Sequence, residues 1–298
     1  DTIFYRSQNN PSYDTDLTGE DYTWDFSQTD ANNWAADTFV TVNSTPIAYN
    51  AQFNNNMFPK YKATVASPQK DISASVGGFN FTNIFFYYKL SGDSIFSQVG
   101  QAITVNNIPL PIKFTDIDEM YHFPSIYGNY DTCYSSYSVT IPSIGFNSRQ
   151  QTRYNWVDGY GTVITPVDTF YNAIRVKTII KSRDSIYSDQ YNTPFAFNTT
   201  TTEFKWFVDG HRGPVVIISK SQGVGNNRNT IKFIDTPEPI PYTISNLEHS
   251  SLEVYPNPFI DKITIKADHI NFPYKIEIID INGRCLFSKT CYSNDDIK

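Results

Sequence analysis

Apolar and polar residues alternate with a period of two through most of this chain, as they do in strands that bury one face. In residues 174–180, Ile174, Val176 and Ile180 fall on one side while Arg175 and Lys177 fall on the other. Phe204, Trp206 and Val208 alternate in the same way with Lys205, and Val139 and Ile141 continue the pattern up to Pro142. Each stretch reads as a half-buried antiparallel strand. Residues 215–235 predict a hairpin, with an apolar strand over 215–218, a Gly- and Asn-rich loop over 223–229 and a return strand over 231–234. No window carries sustained helical spacing between caps, and residues 31–37 allow a single helical turn. Gly159 and Gly161 read as turn glycines, because a phosphate loop needs a helix after its glycines and none follows.

The pattern changes after Asp235. Thr236-Pro237-Glu238-Pro239-Ile240-Pro241 sets three prolines in six residues. Proline lacks a donor and holds the chain extended, so residues 236–249 are expected to form a semi-rigid linker. A second unit follows over residues 250–298. Residues 262–267 alternate cleanly, and residues 275–281 run into Asn282-Gly283, a pair that tolerates positive φ and so marks a tight hairpin. The expected architecture is all-β: a β-sandwich body over residues 1–235, with a jelly roll among the arrangements the pattern allows, followed by the linker and the small second unit.

Composition strengthens this reading. The chain has 22 Phe, 21 Tyr and 4 Trp against 2 Met, a bias toward residues that fit a pleated surface. Thirty acidic residues against 23 basic ones give a net charge of −7 with no basic stripe, so nucleic acid and anionic membranes are not expected partners. The longest apolar or aromatic run covers residues 84–88, short of the roughly 20 residues that span a bilayer, so no transmembrane segment is expected. The sequence opens at Asp1 without a Met or an apolar leader, as an exported protein would after loss of its signal peptide. Cys133, Cys285 and Cys291 are too few and too scattered for a disulfide framework, and with four His and no Cys-x-x-Cys a structural zinc is not expected.

Val254-Tyr255-Pro256-Asn257-Pro258-Phe259, then Ile263-Thr264-Ile265, then Asp280-Ile281-Asn282-Gly283-Arg284 stand in a fixed order near the C-terminus. This arrangement resembles the type A C-terminal sorting domain of the Bacteroidetes type IX secretion system, over residues 250–298. The resemblance implies a partial immunoglobulin-like sandwich, export across the outer membrane to the cell surface or medium, and handling by the type IX translocon and its shuttle or attachment components. Tyr255, Pro256, Asn257, Pro258, Phe259, Asp280, Asn282 and Gly283 are its sorting motif. Members of that family continue for a further strand pair, so a shortened module with exposed sheet edges is expected here. More loosely, Thr23-Trp24-Asp25-Phe26-Ser27, Phe123-Pro124 and Phe204-Lys205-Trp206-Phe207 resemble extracellular proteins that carry the same tag, which implies the domain boundary but no activity.

Candidate chemistry is sparse. Asp116-Ile117-Asp118-Glu119-Met120-Tyr121-His122 groups potential ligands, and alternation would set Asp116 and Asp118 on one face, where oxygen ligands can hold calcium; no other cofactor is expected. Asp209-Gly210-His211 offers a His beside a carboxylate, though Asp209-Gly210 also reads as a turn after a strand. Thr2, Ser94 and Ser185 sit in Asp-Ser/Thr-aliphatic triplets that look like the O-glycosylation sites of the implied phylum. Trp24, Trp34, Trp156 and Trp206 would form a sugar-stacking platform if several shared an exposed face. The expected function is a secreted, non-catalytic protein acting in adhesion, assembly or binding. Two alternatives stand beside it, a carbohydrate-binding protein that uses exposed aromatic residues and a secreted hydrolase.

Overall fold

The computed structural model describes residues 1–76, 79–92, 94–141, 145–189, 193–223, 227–236, 252–255, 261–262, 264–267, 274–280 and 284–291. The chain divides into two compact units, Asp1–Thr236 and Pro237–Lys298. The first unit contains β1 (Thr2–Asn9), β2 (Tyr22–Asp25), β3 (Asn33–Thr38), the helix α1 (Ile47–Phe53), β4 (Val65–Pro68), β5 (Ile72–Val76), β6 (Phe79–Ser91) and β7 (Ile95–Val105). It continues through β8 (Ile108–His122), β9 (Tyr130–Ile141), β10 (Gly145–Ile164), β11 (Thr169–Ser188), β12 (Thr193–Phe207), β13 (Val216–Gln222) and β14 (Arg228–Ile234).

All fourteen strands lie in one sheet, ordered β3-β1-β14-β13-β12-β11-β10-β9-β8-β7-β6-β4, with β2 beside β10 and β5 beside β6. From β6 to β14, neighbours in sequence are neighbours in the sheet. The two ends of the path meet, because Val40, just past β3, exchanges both backbone hydrogen bonds with Ala66 of β4 at 2.8 and 3.0 Å. The sheet therefore nearly closes into a barrel, and its opposite walls touch where Lys205 of β12 donates to the Tyr121 hydroxyl of β8 at 2.7 Å. The all-β expectation holds. The connections are those of a meander rather than the Greek-key crossings of a jelly roll.

The hydrophobic core lies on the outside of this curved sheet as well as within it. Residues 11–31 pack over the outer faces of β10–β14, and Trp24, Phe26 and Ala31 join Val163, Trp206, Val216 and Phe233 in the largest cluster. Trp206 makes edge-on contacts with both Trp24 and Phe26, at 5.7 and 5.2 Å between ring centroids. On the other half of the sheet, α1 supplies Tyr49 and Phe53 to a second cluster with Tyr87 and Val99.

Three local expectations are corrected. Arg175, which alternation assigns to solvent, is 1% exposed. Its guanidinium donates to the carbonyls of Thr15 and Leu17 at 2.6 and 2.9 Å, pinning the covering segment to the sheet. Gly159 and Gly161 are not turn residues but lie inside β10, beside two register shifts. At Gly161, with φ of +150°, an added Cβ would stand 2.0 Å from the Tyr22 carbonyl oxygen, so β2 can pair there only against glycine. Residues 33–37 belong to strand β3 rather than to a helical turn, and the helix falls at Ile47–Phe53 instead.

The interior is polar. Asp118 of β8 receives both Nε and Nη2 of Arg153 of β10, at 2.9 and 2.7 Å, and the Gln151 amide at 2.9 Å. Both ionic side chains are at most 4% exposed. Lys205 donates to Glu203 at 2.7 Å. Burial works against the Lys205 charge, yet Glu203 and the Tyr121 hydroxyl outweigh it and hold the ammonium above its usual range. These contacts replace backbone pairing, because the β8–β9 ladder has a single paired position, Asp116 with Ser136. Cys133 of β9 helps bridge the gap, its sulfur accepting from the Glu119 amide and donating to the Ile117 carbonyl.

The second unit holds two antiparallel pairs, β15 (Leu252–Tyr255) with β16 (Thr264–Ala267) and β17 (Tyr274–Ile279) with β18 (Cys285–Cys291).

Truncating one partner of a buried ion pair strands the other, so Asp118→Ala is expected to lower stability by about 3–5 kcal/mol. Asp116→Ala, which removes only an exposed hydrogen bond to Ser136, should cost less than about 1 kcal/mol. Urea denaturation midpoints of the two variants check the difference.

Candidate functional site

The outer faces of β9–β13 form a register that the covering segment leaves partly open. Pairing sets Tyr130, Trp156, Lys177, Phe204 and Ile218 in one rung, and Thr132, Tyr154, Ile179, Thr202 and Lys220 in the next. A third rung holds Tyr134, Thr152, Lys181, Thr200 and Gln222. Strands alternate their side chains, so every member of these rungs projects from the same side of the sheet.

Trp156 is the centre of an aromatic platform. Its ring lies 6.1 Å from Tyr154 at an interplanar angle of 19° and 5.2 Å from Tyr130 at 41°. Tyr130 is 54% exposed, while Trp156 and Tyr154 are half-buried. The Tyr130 hydroxyl accepts from Thr132 Oγ1 at 2.7 Å, which fixes its outer edge. The planes of Trp156 and Tyr154 are nearly parallel and Tyr130 is tilted against Trp156, so the three rings form an apolar, polarisable patch on the sheet face.

Beside the platform, where residues 11–31 stop covering the sheet, a hollow of about 270 Å³ is lined by Thr15, Asp16, Lys177, Ile179, Thr200, Thr202, Phe204, Lys220 and Gln222. The ammonium groups of Lys177 and Lys220 lie 5.7 and 5.8 Å from the Phe204 ring centroid, and that of Lys181 lies 5.7 Å from the Tyr154 centroid. Lys220 also donates to Thr15 Oγ1 at 2.6 Å.

A second hollow, of about 240 Å³, opens at the rim of the barrel and includes Tyr121, His122, Ser125, Tyr130, Asp131 and Asn155 in its lining. His122 Nε2 lies 3.0 Å from Glu119 Oε2, and Nδ1 lies 3.8 Å from Asp131 Oδ2. Asn155 donates to Asp131 and to the Met120 carbonyl and accepts from Thr178, so one carboxylate flanking the imidazole is held from below. Cys133, the nearest thiol in the ladder, is pushed up to about 11 by burial and is a poor nucleophile at neutral pH.

The other residues singled out in the sequence are distributed. Asp116 and Asp118 do not share a face, because the β7–β8 register slips between Gln98 and Gly100. Asp118 faces Arg153, Asp116 faces Ser136, and no cluster of three or more His, Cys, Asp or Glu suited to a metal occurs among the described residues. The Asp209 carboxylate accepts from the Gly210 amide in a turn, and His211 packs edge-on against Phe170 at 5.4 Å. Trp24 and Trp206 are core residues at 4% and 1% exposure, whereas Trp34 is 48% exposed beneath the Arg6 guanidinium, away from other aromatic rings of the platform. Thr2 is exposed beside Thr38, Ser94 is half-buried in the β6–β7 turn, and Ser185 is half-buried in mid-strand opposite Ser148 and Ala196.

In the sorting motif, Tyr255 is 45% exposed in β15, and Asp280 accepts from the Arg284 amide at 2.9 Å while its own amide donates to the Arg284 carbonyl at 3.0 Å. Pro256, Asn257, Pro258, Phe259, Asn282 and Gly283 lie outside the described residues, as does the linker from residue 237. β17 and β18 expose Ile279, Leu286 and Phe287. No helix among the described residues is long and apolar enough to cross a membrane.

Tyr130 and Tyr154 escaped the sequence reading. In a chain with 21 tyrosines neither carries a signal of its own, and only the β9–β10 register brings them to Trp156. Comparison with curated proteins and with solved structures finds no match. A family model described as the secretion system C-terminal sorting domain matches residues 253–298, so the chain carries the sorting domain of a protein exported by the type IX system.

Proposed function

We propose that this protein acts outside the cell as a non-catalytic carbohydrate-binding protein, with the platform of Tyr130, Tyr154 and Trp156 as its binding surface. One observation carries the reading: three aromatic rings from two adjacent strands share an open sheet face, with Trp156 between the two tyrosines. Threonines 132 and 152 flank the rings in register and offer hydroxyls that hydrogen-bond sugar hydroxyls. A rigid sheet holds these groups without ordering a loop on binding, which suits a surface used for adhesion or capture. The type IX machinery delivers the protein, and the exposed apolar strands of the second unit, with Tyr255 and Asp280, form the part the translocon reads.

A hydrolase is the second reading, and the observation in its favour is His122 set between Glu119 and Asp131 in the rim hollow. It lacks a defined nucleophile, so it stands behind the binding reading.

Affinity electrophoresis through gels containing soluble polysaccharides tests the first reading. Trp156→Ala is expected to weaken retardation by about tenfold or more, as loss of a central aromatic anchor does, with the β-sheet circular dichroism spectrum retained. A protein that no polysaccharide retards would defeat it. Release of reducing sugar by the wild type and its loss in His122→Gln would instead move the assignment to the hydrolase. Deletion of residues 250–298 is expected to leave the body inside the cell envelope, measured by fractionation of the producing cells.

A further inference from the structure

The lysine side chains next to the platform define which carbohydrates it would take. Lys177, Lys181 and Lys220 come from two strands separated by β12, and the register places all three on the same face as Trp156 and Tyr154. Lys177 is the direct neighbour of Trp156 across the β10–β11 pair. Lys181 lies one rung pair further along β11, and Lys220 pairs with Thr202, which pairs with Ile179 opposite Tyr154. Four residues of strand separate Lys177 from Lys181, roughly 14 Å, so the charges accompany a chain of several sugars rather than a single ring.

Lys220 donates to Thr15 Oγ1 at 2.6 Å, a neutral partner. None of the three lysines forms an ion pair among the described residues, although the chain has more acidic than basic side chains. In contrast, Lys205 and Lys232 on the opposite face are both paired, with Glu203 and Asp37. One carboxylate, Asp16, lines the hollow with Lys177 and Lys220. The ammonium groups instead rest near the faces of Phe204 and Tyr154. Three cations in a protein of net charge −7 form a local field opposite in sign to the rest of the molecule.

We infer that the platform and the lysine row form one site for an anionic polysaccharide, with sugar rings stacked on Trp156 and Tyr154 and carboxylate or sulfate groups held by Lys177, Lys181 and Lys220. This rests on the carbohydrate-binding reading and specifies its ligand class. Single-stranded nucleic acid would also stack and pair charge. Its charge repeats along the whole chain as that of a polyuronate does, and the oligo-dT arm of the test separates the two.

The full chain is tested against polygalacturonate, dextran sulfate, a neutral β-glucan and oligo-dT by titration calorimetry at low and moderate salt. Polygalacturonate or dextran sulfate is expected to bind about tenfold more tightly than the neutral glucan, with affinity falling as salt rises. Replacing the three lysines, as Lys177→Gln, Lys181→Gln and Lys220→Gln together, should bring the preference to within about threefold, with an unchanged denaturation midpoint. Carboxylated and sulfated polymers distinguish the two anion types, and preference for either supports the inference. Equal binding of neutral and anionic polymers, unchanged by the lysine variant, would overturn the anionic assignment while leaving the carbohydrate reading intact. Absence of binding to every polysaccharide would overturn both, and oligo-dT binding as tight as the best polysaccharide would overturn the assignment to glycans.

Discussion

The body depends on the pairing of Asp118 with Arg153. A sheet that curls nearly shut must join β8 to β9, and in this protein the backbone ladder there contains one paired position. The bidentate carboxylate-guanidinium contact reaches over β9 to β10 and closes the wall that hydrogen bonding leaves open. Charges taken this far from water are tolerated only when paired and hydrogen-bonded. The supporting bonds from Gln151 to Asp118 and from Cys133 to the β8 backbone are therefore part of the same requirement. Across the interior, Lys205, Glu203 and Tyr121 repeat the solution.

A polar interior reverses the usual division of labour in a sheet. The inner face is crowded with matched ions, so much of the apolar burial moves to the outer face, where residues 11–31 and β2 supply the cover. Arg175 links the two layers, because its guanidinium binds the backbone of the covering segment while its Cζ lies 4.6 Å from the Phe204 centroid. The cover is finite. Where it ends near Thr15 and Asp16, the same outer face emerges as a platform of rings and a row of lysines. The surface proposed to bind carbohydrate is thus the uncovered continuation of the core.

The division between delivery and action follows the division of the chain. The sorting domain of residues 253–298 accounts for export and says nothing of what the body contacts. The body, with its rigid strands and its side chains fixed by register, is suited to holding several contact groups in place at once.

Period-two alternation, turn residues and a short ordered motif mark many of the strands, the β13–β14 hairpin and the sorting motif, because each is written within a few neighbouring residues, whereas β3 reads locally as a helical turn and the glycines inside β10 as a turn. The sequence by itself misjudged which charges meet water. Arg175 and Lys205 alternate with apolar residues as surface charges do, and nothing local distinguishes a solvated cation from one paired inside a closed sheet. Likewise Asp116 and Asp118 appear to share a face until the β7–β8 register slip separates them. The aromatic and lysine surface was decided by tertiary structure alone. Tyr130, Trp156, Lys177 and Lys220 lie far apart in the chain and become neighbours only through strand pairing, a long-range choice that no short window of residues encodes.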